Sequence, residues 1–177
     1  MQMKNIVLTG FMASGKSTVG AELAKITARP LIDTDILIEQ EAGMSISDIF
    51  ATYGEEYFRD LETVACMTAA EENGAIISTG GGAVLRKENI DALRKNGVIF
   101  NLEMNEELIA QRMDEAKGTR PLMSDELSDI IARFNSRKEF YAGCDYKIPV
   151  YDGKTPTELA AEILKLYTMK TQVLDKE

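Results

Sequence analysis

Eight consecutive residues, Gly10-Phe11-Met12-Ala13-Ser14-Gly15-Lys16-Ser17, match G-x-x-x-x-G-K-S/T without a mismatch. The chemistry this spacing serves is the holding of a triphosphate. Glycines let the backbone turn its N–H groups inward, and a following helix adds partial positive charge. Lys16 brings a cation to the β- and γ-phosphates, and the Ser17 hydroxyl is a hard oxygen suited to Mg²⁺. A glycine-rich turn beside an exposed lysine is the bland alternative, but an unbroken motif between a strand and a helix argues against it.

Two carboxylates follow at Asp33 and Asp35. Spaced i and i+2 past a strand end, they can face different targets in one crevice. Asp33 could hold Mg²⁺ through water, and Asp35 could take the proton of an acceptor hydroxyl. The chain has no His, which removes every His-based triad, metal site and general base and leaves that task to a carboxylate. Arg59, Arg120 and Arg137 are candidate cations, since a planar guanidinium grips a carboxylate or phosphate by two parallel bonds. Gly80, Gly81 and Gly82 are costly in backbone entropy and suit a place where a ligand presses on the main chain.

These groups must be positioned by an ordinary soluble framework. The chain has 177 residues, 45% hydrophobic and 28% charged, enough to bury a core without disulfides or structural metal. No apolar run reaches the ~20 residues of a membrane helix, and the start lacks the layout of a signal or transit peptide. A cytoplasmic location is expected. The formal charge of −9 disfavours nucleic acid and anionic lipid as partners. Cys66 and Cys144 are expected as reduced thiols.

Short β-rich runs alternate with helical patterns. Strands are predicted at 5–9, 30–33, 75–78, 98–102 and 146–150. Helices are predicted at 18–26, 35–42, 45–50, 57–72, in the latter part of 84–96, at 106–113, 125–141 and from 155 to about 169. The tail 170–177 reads as frayed. Val19, Leu23 and Ile26 fall on one helix face. Ser45 and Asp48 are spaced as a capping box. The alternation implies right-handed βαβ units and a parallel sheet of about five strands. Ligands of such sheets sit at the strands' carboxyl ends. The segments after the first three strands, residues 10–18, 33–35 and 80–82, should therefore share a crevice. No N-K-x-D segment reads guanine, and the chain is short for a motor, so a small metabolite or nucleotide kinase is the expectation.

GFMASGKSTVG, LIDTDILIEQEAG, SISDIFATYGEEYFRDLE, STGGGAV, TRPLM and SRKEFY together resemble the shikimate kinase family, in its order and spacing, over residues 6–166. The resemblance implies a P-loop nucleoside monophosphate kinase-like α/β fold with strand order 2-3-1-4-5. It implies a single kinase domain over 1–177, with a P-loop at 10–18, a substrate-binding lobe at about 33–62 and a lid at about 112–125. It implies transfer of the ATP γ-phosphate to the 3-hydroxyl of shikimate on the route to chorismate and the aromatic amino acids. Ala13, Ser14, Gly15, Lys16, Ser17 and Thr18 would cradle ATP. Ser17 and Asp33 would hold Mg²⁺, Lys16 would neutralise charge and Asp35 would bind the acceptor hydroxyl as base. Arg59 and Arg137 would clamp the carboxylate, and Gly80, Gly81 and Gly82 would meet the substrate. Arg120 would reach the phosphates from the lid, Arg112 would lie near adenine, and Phe50 and Phe58 would wall the ring. Glu62, at i+3 from Arg59, is placed to orient it. Shikimate and ATP are the expected partners, and the chain is expected to be a monomer. The alternatives are another P-loop kinase, acting on gluconate or a nucleotide, and a non-catalytic ATP-binding module.

Overall fold

The computed structural model describes residues 3–117 and 126–174. Five strands, β1 (Asn5–Gly10), β2 (Leu31–Asp33), β3 (Ile76–Ser78), β4 (Gly97–Glu103) and β5 (Tyr146–Pro149), form one sheet in the order β2-β3-β1-β4-β5. All neighbours are parallel. The helices are α1 (Lys16–Thr27), α2 (Thr34–Ala42), α3 (Ile46–Ala70), α4 (Lys87–Lys95), α5 (Glu106–Lys117), α6 (Leu127–Tyr141) and α7 (Pro156–Leu174), with a one-turn 3₁₀ helix at Ala83–Leu85. The expected fold class and strand order hold.

Every residue of β1 is buried. Central parallel strands are covered on both faces, so apolar residues occupy them without alternation. Ile6, Leu8, Ile76, Ile77, Ile99 and Phe100 anchor the main core. Ile38, Ile49, Phe58 and Ala65 form a second cluster between α2 and α3.

Local signals set the helix ends. An Asp33 carboxylate oxygen accepts the amide of Asp35 at 3.0 Å and caps α2. The Ser45 hydroxyl accepts the Asp48 amide at 3.1 Å at the start of α3. Thr155 and Glu158 cap α7 reciprocally, each side chain accepting the other's amide.

The structure departs from the sequence reading in four places. The helices expected at 45–50 and 57–72 are one span, α3, broken where Gly54 takes φ 82° and ψ 177°. Helix α5 runs to Lys117 rather than 113, so residues 114–117 continue the helix. Helix α7 reaches Leu174, so part of the expected frayed tail is helical. Ile26 is 50% exposed, and the buried face of α1 is Val19, Gly20 and Leu23.

Candidate active site

The loop after β1 is shaped by its backbone. Gly10 sits at φ +148°, and a Cβ there would lie 2.8 Å from both the Leu102 carbonyl oxygen and Ser14 Oγ. No other residue fits that approach. Ala13 at φ 59° and Gly15 at φ 95° continue the turn into α1. Lys16 Nζ donates to the carbonyls of Gly10 at 2.8 Å and Phe11 at 3.0 Å. Burial lowers the Lys16 amine to about 8, against the attraction of Asp35 and Asp33. Ala13, Ser17 and Thr18 are exposed. Arg112, on α5, donates to the Ala13 carbonyl at 2.6 Å and so lies over this loop.

The end of β2 lies beside it. Ser17 Oγ donates to Asp33 Oδ2 at 3.1 Å, while Asp33 Oδ1 caps α2. One hydroxyl and one carboxylate oxygen thus meet next to the loop. Among the described residues, no cluster of three or more His, Cys, Asp or Glu could hold a metal ion. This hard-oxygen pair fits Mg²⁺, which keeps its waters and takes one or two protein oxygens plus substrate phosphates.

Thr34, between the two acids, is fully buried. Its hydroxyl accepts the Gly80 amide at 3.0 Å and ties the end of β2 to the glycine triplet after β3. The Thr79 hydroxyl donates to the Leu8 carbonyl at 3.0 Å and ties the triplet to β1. Thr34 escaped the sequence reading because a threonine between two acids carries no chemistry of its own. Its role is visible only across 46 residues of chain.

A pocket of about 330 Å³ opens between these elements. Asp35, Arg59, Arg137, Gly80, Gly81 and Gly82 all line it, with Met12 of the loop. Phe50 and Phe58 line it too, their ring centroids 4.6 Å apart. The proposed acid, both proposed carboxylate clamps and the glycine triplet, although up to 102 positions apart (137 − 35) in sequence, thus converge on one cavity.

Its electrostatics follow from burial. Asp35 is pushed up to about 6 by desolvation and by Asp33 and Glu62, with Lys16 opposing. Asp35 Oδ1 has no hydrogen-bond partner among the described residues. Arg59 donates to Glu62 at 2.8 Å and to Glu55 at 2.9 Å. Burial acts to lower the Arg59 guanidinium, but the two acids outweigh it and raise it. Glu62 is buried, and desolvation raises its carboxyl despite Arg59. Arg137 is lowered by burial, with Tyr141 opposing.

A wider cleft of about 810 Å³ lies on the other side of Phe11 and Tyr141, beyond the ends of β4 and β5. Of the predicted triphosphate loop it touches Phe11, and it is lined by none of the proposed catalytic, clamping or metal-holding residues. Arg120 and the rest of the expected lid from 118 to 125 fall outside the described residues.

A parallel sheet with a triphosphate loop after its central strand, and an acid-and-arginine pocket beside it, defines a P-loop kinase of the nucleoside monophosphate kinase type. Residues 12–168 match the family model described as Shikimate kinase. The chain belongs to the shikimate kinase family. A relative from Caldanaerobacter subterraneus subsp. tengcongensis named shikimate kinase is 46% identical over 167 residues, covering 93% of this chain and 96% of that one. The structure of shikimate kinase from Acinetobacter baumannii in complex with shikimate matches with a TM-score of 0.85 and 32% identity, over 95% of this chain and 94% of the other. A gluconokinase from Sinorhizobium meliloti matches with a TM-score of 0.62 and 17% identity, over 98% of this chain and 97% of the other, and so shares the fold alone.

Proposed function

We propose that this chain transfers the γ-phosphate of ATP to the 3-hydroxyl of shikimate, yielding ADP and shikimate 3-phosphate, in chorismate and aromatic amino-acid biosynthesis. The observation that carries the reading is the joint lining of one pocket by Asp35, Arg59, Arg137 and three glycines, beside Met12 of the triphosphate loop. Shikimate is a small cyclic acid with several hydroxyls. It needs guanidinium groups for its carboxylate and an acid for a hydroxyl, and this pocket supplies both.

Arg59 and Arg137 hold the substrate carboxylate, with Gly80, Gly81 and Gly82 against the ring and Phe50 and Phe58 as walls. Asp35 accepts the proton of the attacking hydroxyl through its unpartnered oxygen. The hydroxyl oxygen bonds to the γ-phosphorus as the bond to the ADP oxygen breaks. Ala13, Ser14, Gly15 and Thr18 hold the phosphates with their backbone and hydroxyl groups. Lys16 leaves the loop carbonyls for the phosphate oxygens, where charge develops. Ser17 and Asp33 would hold Mg²⁺, which when bound neutralises the β- and γ-phosphates. Arg112 covers the nucleotide, and Arg120 reaches the phosphates from a lid at about 112–125. The substrate lobe spans about 33–62 within a single kinase domain. The chain acts as a cytoplasmic monomer without nucleic-acid or membrane partners. Among the described residues, no helix is long and apolar enough to cross a membrane.

A coupled ADP-release assay with shikimate, gluconate and AMP tests the reading. Turnover with shikimate alone is expected. Activity confined to gluconate or AMP, or ATP binding without any transfer, overturns it.

A further inference from the structure

Tyr141 is the last residue of α6, 6% exposed, and it does not line the 330 Å³ pocket. Its ring packs along the wider cleft, with Phe11 and Phe134. Its hydroxyl points the other way and donates to the Gly81 carbonyl at 2.6 Å. Arg137 lies one helical turn earlier, at i−4 on the same face, and its positive charge acts on the Tyr141 hydroxyl. The hydroxyl thus ties α6, the helix that carries Arg137, to the Gly81 carbonyl.

The direction of this bond matters. The Gly81 carbonyl and the Gly82 N–H belong to one planar trans peptide and point to opposite sides of it. Anchoring the carbonyl on Tyr141 therefore fixes where the Gly82 N–H points. Three consecutive glycines have no side chains to hold that plane. A single buried hydroxyl thus fixes the backbone after β3 against the helix that carries Arg137.

We propose that Tyr141 is a positioning residue for the substrate carboxylate, fixing the spacing between Arg137 and the Gly81–Gly82 peptide without touching the substrate. This rests on the shikimate reading above. Burial pushes the Tyr141 hydroxyl up to about 12, with Arg137 opposing. It therefore keeps its proton and remains a donor across the working range of pH. The sequence hides this role, because an Arg-x-x-x-Tyr spacing in a helix is also what an ordinary amphipathic face provides.

Tyr141→Phe keeps the ring and its packing and removes only the hydroxyl. The expected result is a shikimate KM raised about tenfold, as for loss of one buried hydrogen bond. The KM for ATP should stay within about twofold and kcat within about threefold. The methyl ester of shikimate should lose much less, because it lacks the charge the two arms are set to receive. In an Arg137→Ala background the same substitution should add less than about threefold, since the partners act as a unit. An unchanged shikimate KM, an equal rise in both KM values, or full additivity with Arg137→Ala overturns the proposal. The wild type is assayed alongside. If it is idle on shikimate, the substrate reading falls and this inference with it, whereas normal wild-type turnover with an unaffected Phe variant refutes the inference alone.

Discussion

Asp35 and Glu62 each bring a carboxylate oxygen close to one place, where a side chain on Gly80 would begin. A Cβ there would stand 2.7 Å from Asp35 Oδ1 and 2.8 Å from Glu62 Oε1, and both oxygens are buried without hydrogen-bond partners among the described residues. Gly80→Ala must therefore displace both acids. Each is the end of a side chain, so the fold can yield at a cost of about 1–2 kcal/mol. The proposed chemistry has less freedom, because in it Asp35 must stay aimed at the hydroxyl. We expect kcat to fall by roughly 10²-fold while the melting temperature drops by only a few degrees. Steady-state kinetics beside a thermal melt checks this, and an unimpaired kcat would remove Asp35 from the reaction.

The pH profile follows from two groups. In the proposed mechanism Asp35, at about 6, must be deprotonated to accept a proton, and Lys16, at about 8, must be charged to meet phosphate. The kcat/KM for shikimate should fall below about pH 6 and again above about pH 8. Stability gives an independent check on the acid. The folded value of Asp35 lies above its ordinary 3.8, so between these values the folded state binds more protons than the unfolded chain. Stability from this group then falls as pH rises through that window and stays lowered at neutral pH. Asp35→Asn should abolish turnover yet stabilise the protein at pH 7, by on the order of 1 kcal/mol. The gain should vanish near pH 4. A variant that melts below the wild type at pH 7 contradicts the buried-charge account.

Asp33 caps α2 with one oxygen and meets Ser17 with the other, and two substitutions separate the cap from the proposed Mg²⁺ role. Asparagine is a good helix cap but carries no charge. Asp33→Asn should leave the melting temperature nearly unchanged while raising the Mg²⁺ concentration needed for half-maximal rate about tenfold or more. Asp33→Ala should show the same Mg²⁺ effect and also lose about 1 kcal/mol of stability with the cap of α2. A Mg²⁺ titration paired with denaturant unfolding reads both. Equal Mg²⁺ requirements in all three proteins would exclude Asp33 as an ion-holding residue.

Arg59 and Glu62 form a buried ion pair, with side chains 10% and 1% exposed. Removing one member strands the other. Arg59→Ala should destabilise by about 3 kcal/mol or more, beyond its effect on shikimate binding. The double variant Arg59→Met with Glu62→Leu should recover most of that stability and none of the activity. Denaturant unfolding of the three proteins decides the point, and a single variant as stable as the wild type would show that the pair is solvated.

The chemistry was more legible in the sequence than the scaffolding that holds it. The triphosphate loop is contiguous, so its function can be read from eight residues. Asp33 and Asp35 could be placed because they follow a strand, and strand ends in a parallel sheet share a rim. The order of the strands came only through family resemblance, since alternation says nothing of neighbours. The break in α3 left a trace, an interruption between two helical patterns, because Gly54 needs a positive φ that the flanking residues do not favour. Thr34 and Tyr141 left none. Each acts through one hydroxyl on a glycine backbone 46 and 60 positions away, and only the fold creates those contacts.

Arg59 meets the world already engaged. Glu62 and Glu55 hold its guanidinium on two sides, so in the proposed role an arriving anion finds a rigid, aligned receptor whose positive field is largely muted. Recognition then depends on shape and direction more than on raw attraction. A clamp of this kind selects its guest by fit and still lets it go, which suits a protein that must discard a product more highly charged than the molecule it took in.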